Sequence, residues 1–196
     1  MYVLFEGIDT SGKSTQIELI RRLRPEALIT REPGGTPFGE KARQILLETE
    51  LHSRRAELLL FLADRAEHYE TVVLPQRARR LVLSDRGFLS GIGYALANGG
   101  VTLQELLALN RFALRGDWPD GILFFETDAE TLRRRLAAKT PDGIEARGVD
   151  YLLEVQLRMR QALEALEIPH RILDARHDIE TLHRAVLDFL ETLEKA

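Results

Sequence analysis

Gly7-Ile8-Asp9-Thr10-Ser11-Gly12-Lys13-Ser14 fits the pattern G-x-x-x-x-G-K-[ST] without a mismatch. Glycines let the backbone curl until successive N–H groups point inward at phosphate oxygens. A helix opening at Lys13 adds the positive end of its dipole. The Lys13 ammonium then reaches the β- and γ-phosphates of a nucleotide, and the Ser14 hydroxyl ligates Mg²⁺. The pattern carries this meaning only between a strand and a helix. Both are present: Tyr2 to Glu6 reads as a buried strand, and Ile17, Ile20 and Leu23 share one face of a helix predicted from about Lys13 to Arg24. The plain alternative, a glycine-containing turn with a surface lysine, does not need those flanks. The stretch from Gly7 to Thr15 is therefore the expected phosphate site.

The same alternation continues along the chain. Further strands are predicted over Ala27–Thr30, Leu81–Ser84, Ile122–Phe125 and Arg171–Leu173. Helices are predicted from near Pro37, from Arg54 to Thr71, on either side of Asn98-Gly99-Gly100, from Ala129, from Asp150 to Leu166 and from Ile179 to Leu193. Strands alternating with helices imply an α/β fold, a parallel sheet covered on both faces. Right-handed crossovers gather the strand C-terminal ends on one edge, where open sheets of this kind bind ligands. Glu6, Arg31, Asp85 and Asp174 all fall near such ends.

Composition sets the bounds. A chain of 196 residues is long enough for one well-buried core, so a single domain over 1–196 is expected. The net charge of −4 advertises no polyanion partner, so nucleic acid is not expected. The absence of cysteine excludes disulfides, thiolate catalysis and Cys-based zinc sites. No signal peptide or membrane-length apolar run is read, so a cytoplasmic protein is expected. The 27 basic residues include four lysines, Lys13, Lys41, Lys139 and Lys195, which makes Lys13 conspicuous.

Beyond the loop, Ser84-Asp85-Arg86 sits where an apolar strand stops. A carboxylate there helps hold Mg²⁺ through water, or simply caps the next helix. Arg86 can neutralise a transferring phosphoryl group. Arg31 follows the second strand and precedes Pro33-Gly34-Gly35. Phe61 and Arg65 lie four residues apart on one helix face, so a base could stack on Phe61 and bond to Arg65. Phe61 could equally belong to the core. Arg133-Arg134-Arg135 and Arg147 flank a polar break at Lys139-Thr140-Pro141-Asp142-Gly143. That pattern reads as a lid over about 133–148 whose arginines close over phosphates, or as a solvated helix face and a loop.

Phe5-Glu6-Gly7-Ile8-Asp9, Thr30-Arg31-Glu32-Pro33-Gly34-Gly35-Thr36, Leu60-Phe61-Leu62-Ala63-Asp64-Arg65-Ala66, Asp85-Arg86 with Ser90 and Tyr94, and Leu173-Asp174-Ala175 resemble thymidylate kinases, in order and across almost the whole chain. The resemblance implies a three-layer P-loop kinase fold with a five-stranded parallel sheet and a short lid, assembled as a homodimer. It implies transfer of the γ-phosphoryl group of ATP to dTMP with Mg²⁺, a step of dTTP biosynthesis. By the same resemblance Asp9 binds the sugar 3′-hydroxyl, Phe61 stacks on thymine and Arg65 bonds its edge. Arg86 meets the acceptor phosphate, Tyr94 packs on the deoxyribose, and Glu32-Pro33 matches the family's cis peptide in the substrate loop. Where some members carry an arginine in the loop this chain has Thr10, and the lid arginines, Arg135 and Arg147 among them, are expected to supply the charge. Lys13, Arg86, Arg135 and Arg147 are thus the expected catalytic cations, with Ser14 and Asp85 on the metal. The family often has tyrosine after Asp-Arg and glutamine after Tyr94, where this chain has Gly87 and Ala95. Gly91 adds no side chain near the base. Base recognition then rests on Arg65, Ser90 and backbone groups, with modest selectivity for dTMP over dUMP.

Two rivals differ in what they require. A nucleoside kinase needs a base for the acceptor hydroxyl, with Glu6 or Glu32 as candidates. A GTPase-like switch needs an Asn/Thr-Lys-x-Asp segment, which does not occur here. A domain that had lost activity would be expected to have lost Lys13, Ser14 or Asp85.

Overall fold

Alternate residues of the first strand choose opposite sides. In β1 (Tyr2–Glu6), Tyr2 and Leu4 enter one hydrophobic cluster, and Val3 and Phe5 enter another. A strand that is apolar on both faces must be central. β1 is accordingly the middle strand of a five-stranded sheet in the order β2-β3-β1-β4-β5, with β2 (Leu28–Arg31), β3 (Val82–Asp85), β4 (Gly121–Glu126) and β5 (His170–Asp174). All the strand pairs are parallel. The computed structural model describes residues 1–137 and 147–195.

Helices α1 (Lys13–Leu23) and α9 (Ile179–Glu194) cover one face, where Ile17, Ile20, Val186 and Leu190 meet Phe5 and Phe125. The other face is covered by α3 (Arg54–His68), α5 (Phe88–Asn98), α6 (Leu103–Ala113) and α8 (Val149–Glu164), around Phe88, Ile92, Leu106, Val155 and Met159. The remaining described helices are α2 (Pro37–Glu48), α4 (Leu74–Arg77) and α7 (Ala129–Leu136). No helix among the described residues is long and apolar enough to cross a membrane.

Register fixes which strand ends meet. Phe5 and Arg31 both pair with Asp85, and Glu126 pairs with Asp174. The C-terminal ends of all the strands therefore form one rim, and the Gly7–Ser14 loop leaves its centre. One element departs from its predicted form. The helix expected from Arg54 to Thr71 is α-helical only to His68 and passes through a π-turn, Tyr69–Val73, into α4. Pro75 accounts for the change. It has no N–H, and its ring would strike the carbonyl four residues back in a regular helix. The Leu74 N–H instead reaches back to the Tyr69 carbonyl, which shifts the ladder by one residue ahead of the proline.

Candidate active site

The phosphate loop is built from backbone conformations that few residues tolerate. Gly7 and Gly12 have φ of 141° and 98°, and a Cβ on Gly7 would lie 2.5 Å from the Phe125 carbonyl oxygen. Thr10 sits at φ 60° without a glycine's freedom. Lys13 is 5% exposed, and its ammonium donates to the carbonyls of Gly7 and Ile8 at 2.8 Å each and to Ser11 Oγ at 3.3 Å. The cation is thus folded back onto the loop that is expected to hold phosphate. Burial, reinforced by the positive charge of Arg86, pulls its pKa down to about 8. Bound phosphates restore the charged form, so nucleotide binding carries proton uptake at Lys13 above that pH. ATP affinity, titrated calorimetrically without acceptor, is expected to weaken roughly tenfold between pH 7.5 and 9.

Ser14 Oγ donates to Asp85 Oδ2 at 3.0 Å. This pair joins the start of α1 to the end of β3, as the adjacent registers of β1 and β3 require. Two hard oxygen donors beside the phosphate loop suit Mg²⁺, which keeps several waters and takes its other ligands from phosphate. Among the described residues no cluster of three or more His, Cys, Asp or Glu could hold a metal alone.

Arg86 stands where the rim turns inward. Its backbone has φ 68°, a conformation costly to a non-glycine residue, and its N–H bonds the Phe5 carbonyl at 2.9 Å. The guanidinium donates to the Gly7 carbonyl at 2.8 Å, to Ser90 Oγ at 3.1 Å and to Asp9 Oδ1 at 2.6 Å. It links the loop, α5 and the acidic residue of the loop in one contact. Glu6 lies just beneath, fully buried, and accepts from the N–H groups of Leu89 and Ser90 at 3.0 and 3.2 Å and from the Ser90 hydroxyl. Burial raises its pKa, and the bonds from Ser90 and the charge of Arg86 oppose the rise. The carboxyl of β1 is thus the N-terminal cap of α5, which has no capping side chain of its own at Gly87.

A second buried cluster braces the loop after β2. Arg65, 2% exposed, donates to Glu32 Oε2 at 2.8 Å, Asn110 Oδ1 at 2.6 Å and the Gly87 carbonyl at 3.1 Å. His68 bridges Glu32 Oε1 at 2.9 Å and Thr30 Oγ1 at 2.7 Å. The Glu32–Pro33 peptide is cis. Asp64, one residue before Arg65, accepts from the Gly34 N–H at 3.2 Å through Oδ1, while its Oδ2 has no hydrogen-bond partner among the described residues. α2 passes so close that a Cβ on Gly39 would collide with this carboxylate. Burial, followed by the negative charge of Glu32, pushes the Asp64 pKa up to about 6. A folded-state pKa above the unfolded one contributes stability that is full below about pH 4 and is lost as pH rises through about 6. Asp64→Asn is expected to remove that loss. Thermal melts at pH 7.5 should show a gain on the order of 2 kcal/mol and a flatter pH profile between 4 and 6.5.

Three cavities follow one another along the rim. The phosphate-loop cavity, about 470 Å³, is lined by Asp9 to Thr15 with Arg31, Asp85 and Arg86. A narrower cavity of about 100 Å³ holds Pro33, Phe61, Arg65, Ser90, Gly91, Tyr94 and Arg147. Asp9, Glu32, Arg43 and Arg86 line both. A third, of about 350 Å³, lies between the first turn of α3 and the end of α5.

Most of the residues singled out in the sequence therefore lie along one groove, and several of them are already bonded to other parts of the protein. Phe61 is half-buried on a cavity wall and does not belong to the core clusters. Arg65 gives three of its five N–H donors to the protein itself. The flanking arginines separate. Arg135 holds the carbonyls of Thr10 at 2.9 Å and Ala175 at 2.6 Å, beside the phosphate loop. Arg147 lies on the Tyr151 ring at 5.2 Å and bonds its hydroxyl and Asn98 Oδ1 at 2.9 and 3.2 Å, beside the second cavity. Of the lid expected over 133–148, positions 138–146, including the polar break, lie outside the described residues. Arg31 donates to the Gly34 carbonyl at 3.4 Å, at the edge of the phosphate cavity. Arg43 and Asn110 gave no signal in the sequence. One is an arginine among many, and the other joins the site only through a fold contact with Arg65.

Comparison with known proteins gives one family. The family model for thymidylate kinase matches residues 5–186. A thymidylate kinase of Sulfurovum sp. (strain NBC37-1) is 58% identical over 97% of this chain and 100% of its own. That of Campylobacter curvus (strain 525.92) is 50% identical over 97% of this chain and 100% of its own. The crystal structure of thymidylate kinase from Ehrlichia chaffeensis superposes with a TM-score of 0.77 at 26% identity, covering 97% of this chain and 98% of that one.

Proposed function

The chain belongs to the thymidylate kinase family, and on that premise we propose how its residues divide the reaction. The protein transfers the γ-phosphoryl group of ATP to dTMP, giving ADP and dTDP. One observation carries the division of labour: Arg86 and Asp9 line both the phosphate-loop cavity and the cavity that holds Phe61, Arg65 and Tyr94. Donor and acceptor phosphates brought to the two sides of that wall meet at Arg86.

In this reading Gly7 to Thr15 grip the ATP phosphates, and the Lys13 ammonium swings from the loop carbonyls onto the β- and γ-oxygens. Ser14 and Asp85 would hold Mg²⁺, which neutralises phosphate charge. The dTMP phosphate lies against Arg86, its sugar against Asp9 and Tyr94, and its base between Phe61 and the remaining donors of Arg65. Ser90, Gly91 and the Arg31-Glu32-Pro33 loop complete the acceptor walls. An acceptor phosphate oxygen attacks the γ-phosphorus, the bond to the β–γ bridging oxygen breaks, and ADP leaves. The acceptor is already ionised, so no general base is needed. Arg135 from the loop side and Arg147 from the acceptor side stabilise the charge on the transferring group. Glu6 and Glu32, the bases a nucleoside kinase would need, are buried, one capping α5 and the other bound to Arg65 and His68.

The proposal extends to a single working domain and a cytoplasmic homodimer. Phe112, 86% exposed on α6, with exposed Leu59 on the neighbouring α3, supplies apolar surface for the dimer.

The test is ADP release with ATP and Mg²⁺ and, in turn, dTMP, dUMP, dCMP, thymidine or no acceptor. Strong dependence on dTMP is expected. Release without any monophosphate, or with thymidine alone, would refute this division of roles.

A further inference from the structure

The end of α5 meets the start of α8. The two helices lie so close that a Cβ on Gly93 would fall 2.3 Å from Met159 Cγ and 3.1 Å from the Val155 carbonyl oxygen. α5 carries Ser90, Gly91 and Tyr94 of the acceptor wall, and Asn98 is its last residue. On the other side Gly148, at φ 94°, turns the chain into α8, and Arg147 folds back across the first turn onto Tyr151. A closed ring of hydrogen bonds joins Asn98, Arg147 and Tyr151. The Arg147 guanidinium donates to the Tyr151 hydroxyl at 2.9 Å and to Asn98 Oδ1 at 3.2 Å, and the Tyr151 hydroxyl donates to the same Oδ1 at 2.9 Å. The guanidinium also lies 5.2 Å from the centroid of the Tyr151 ring, which is tilted against the Tyr94 ring at 6.4 Å. These partners are all neutral, so they hold the cation without cancelling its charge.

We propose that Asn98 and Tyr151 are positioning residues for phosphoryl transfer, acting through Arg147 by fixing its guanidinium at the acceptor cavity before substrate arrives. The inference rests on the role given to Arg147 above. Of the three, Arg147 lines the acceptor cavity. An arginine near a helix start otherwise samples many rotamers, and ordering it in the transition state would cost part of what its charge contributes. Asn98 and Tyr151 order it beforehand. Asn98 sits on the helix that carries the acceptor wall, so Arg147 is aligned to the same element as Ser90 and Tyr94.

The test is a double-mutant cycle read in steady-state kinetics. Arg147→Ala is expected to lower kcat by about 100-fold or more. Asn98→Ala is expected to lower kcat by about tenfold while the KM for dTMP stays within about threefold. Tyr151→Phe keeps the ring and removes the hydroxyl, and is expected to lower kcat by about threefold. In the Arg147→Ala background Asn98→Ala is expected to cost less than about twofold, because the residue it acts through is gone. If Asn98→Ala fails to fold, Tyr151→Phe completes the same cycle. An equal loss in both backgrounds would make the partner merely structural and overturn the inference. Unchanged kcat in Asn98→Ala and Tyr151→Phe, with Arg147→Ala impaired, overturns it as well and leaves the role of Arg147 standing. An unimpaired Arg147→Ala enzyme overturns that role and the inference together.

Discussion

Lys13→Ala is expected to lower kcat/KM for dTMP phosphorylation by about 10³-fold and to leave the melting temperature within a few degrees of the parent. The two halves of this expectation have separate causes. The loss of rate follows from removing a cation whose hydrogen bonds among the described residues go to the carbonyls of Gly7 and Ile8 and to Ser11. On the proposed mechanism the ammonium is held in readiness for charge that develops during transfer, and water entering its place reproduces little of that effect. The small change in stability follows from opposing terms. The variant loses three hydrogen bonds but also relieves the burial that pulls the Lys13 pKa down to about 8. Steady-state kinetics with a thermal melt on the same preparation reads both. Retention of a tenth or more of the parental kcat/KM would remove Lys13 from the reaction.

Arg65→Ala should behave in the opposite way, with stability hit first. Arg65 and Glu32 are both almost wholly inaccessible, and removing one partner strands the other charge in the interior at a cost of about 3–5 kcal/mol. For a chain of this length that corresponds to a melting temperature lower by about 10 °C. Burial alone would raise the Glu32 pKa, but Arg65 and His68 outweigh it and hold it below its ordinary value. The pair's contribution is therefore complete above the ordinary carboxylate range and fades as pH falls through the depressed value. Without Arg65 the carboxyl titrates higher, so the gap between parent and variant narrows on acidification. Urea unfolding at pH 7.5 and pH 5 measures that narrowing. A gap independent of pH would mean that lost packing, not the stranded Glu32, sets the cost. Arg65→Lys is a poor rescue, because one ammonium cannot reach Glu32, Asn110 and Gly87 together.

These two residues also mark how far sequence reading reached. The strand-loop-helix around Lys13 was legible because every part of it is local: an apolar run, a fixed glycine spacing and a helical face. The parallel sheet and the shared edge of its strand ends followed from alternation and crossover handedness, whereas the strand order β2-β3-β1-β4-β5 emerged only in the fold. Arg65 was visible as a candidate, yet its main partners lie 33 and 45 residues away in sequence. No spacing rule could show that most of its donors are spent on Glu32 and Asn110 inside the protein. Pro75 was in plain view inside a helical pattern, but a proline can end, kink or shift a helix, and only the packing of Tyr69 and Val73 selects the π-turn. The division of Arg135 from Arg147 was equally hidden. It depends on where α7 and α8 point, which helical periodicity does not encode.

Glu6 has one more consequence. It closes β1 immediately before the phosphate loop, and its carboxyl grips the first turn of α5, the helix that carries Ser90, Gly91 and Tyr94. The proposed donor site and the proposed acceptor site are thereby referenced to one buried residue, Glu6. Two substrates that dock on them lose their relative freedom by binding alone, with no search over mutual orientations of two moving parts. The orientational entropy of bringing attacking oxygen and phosphorus into line is largely surrendered once, when the chain folds, and is not demanded again in each catalytic cycle.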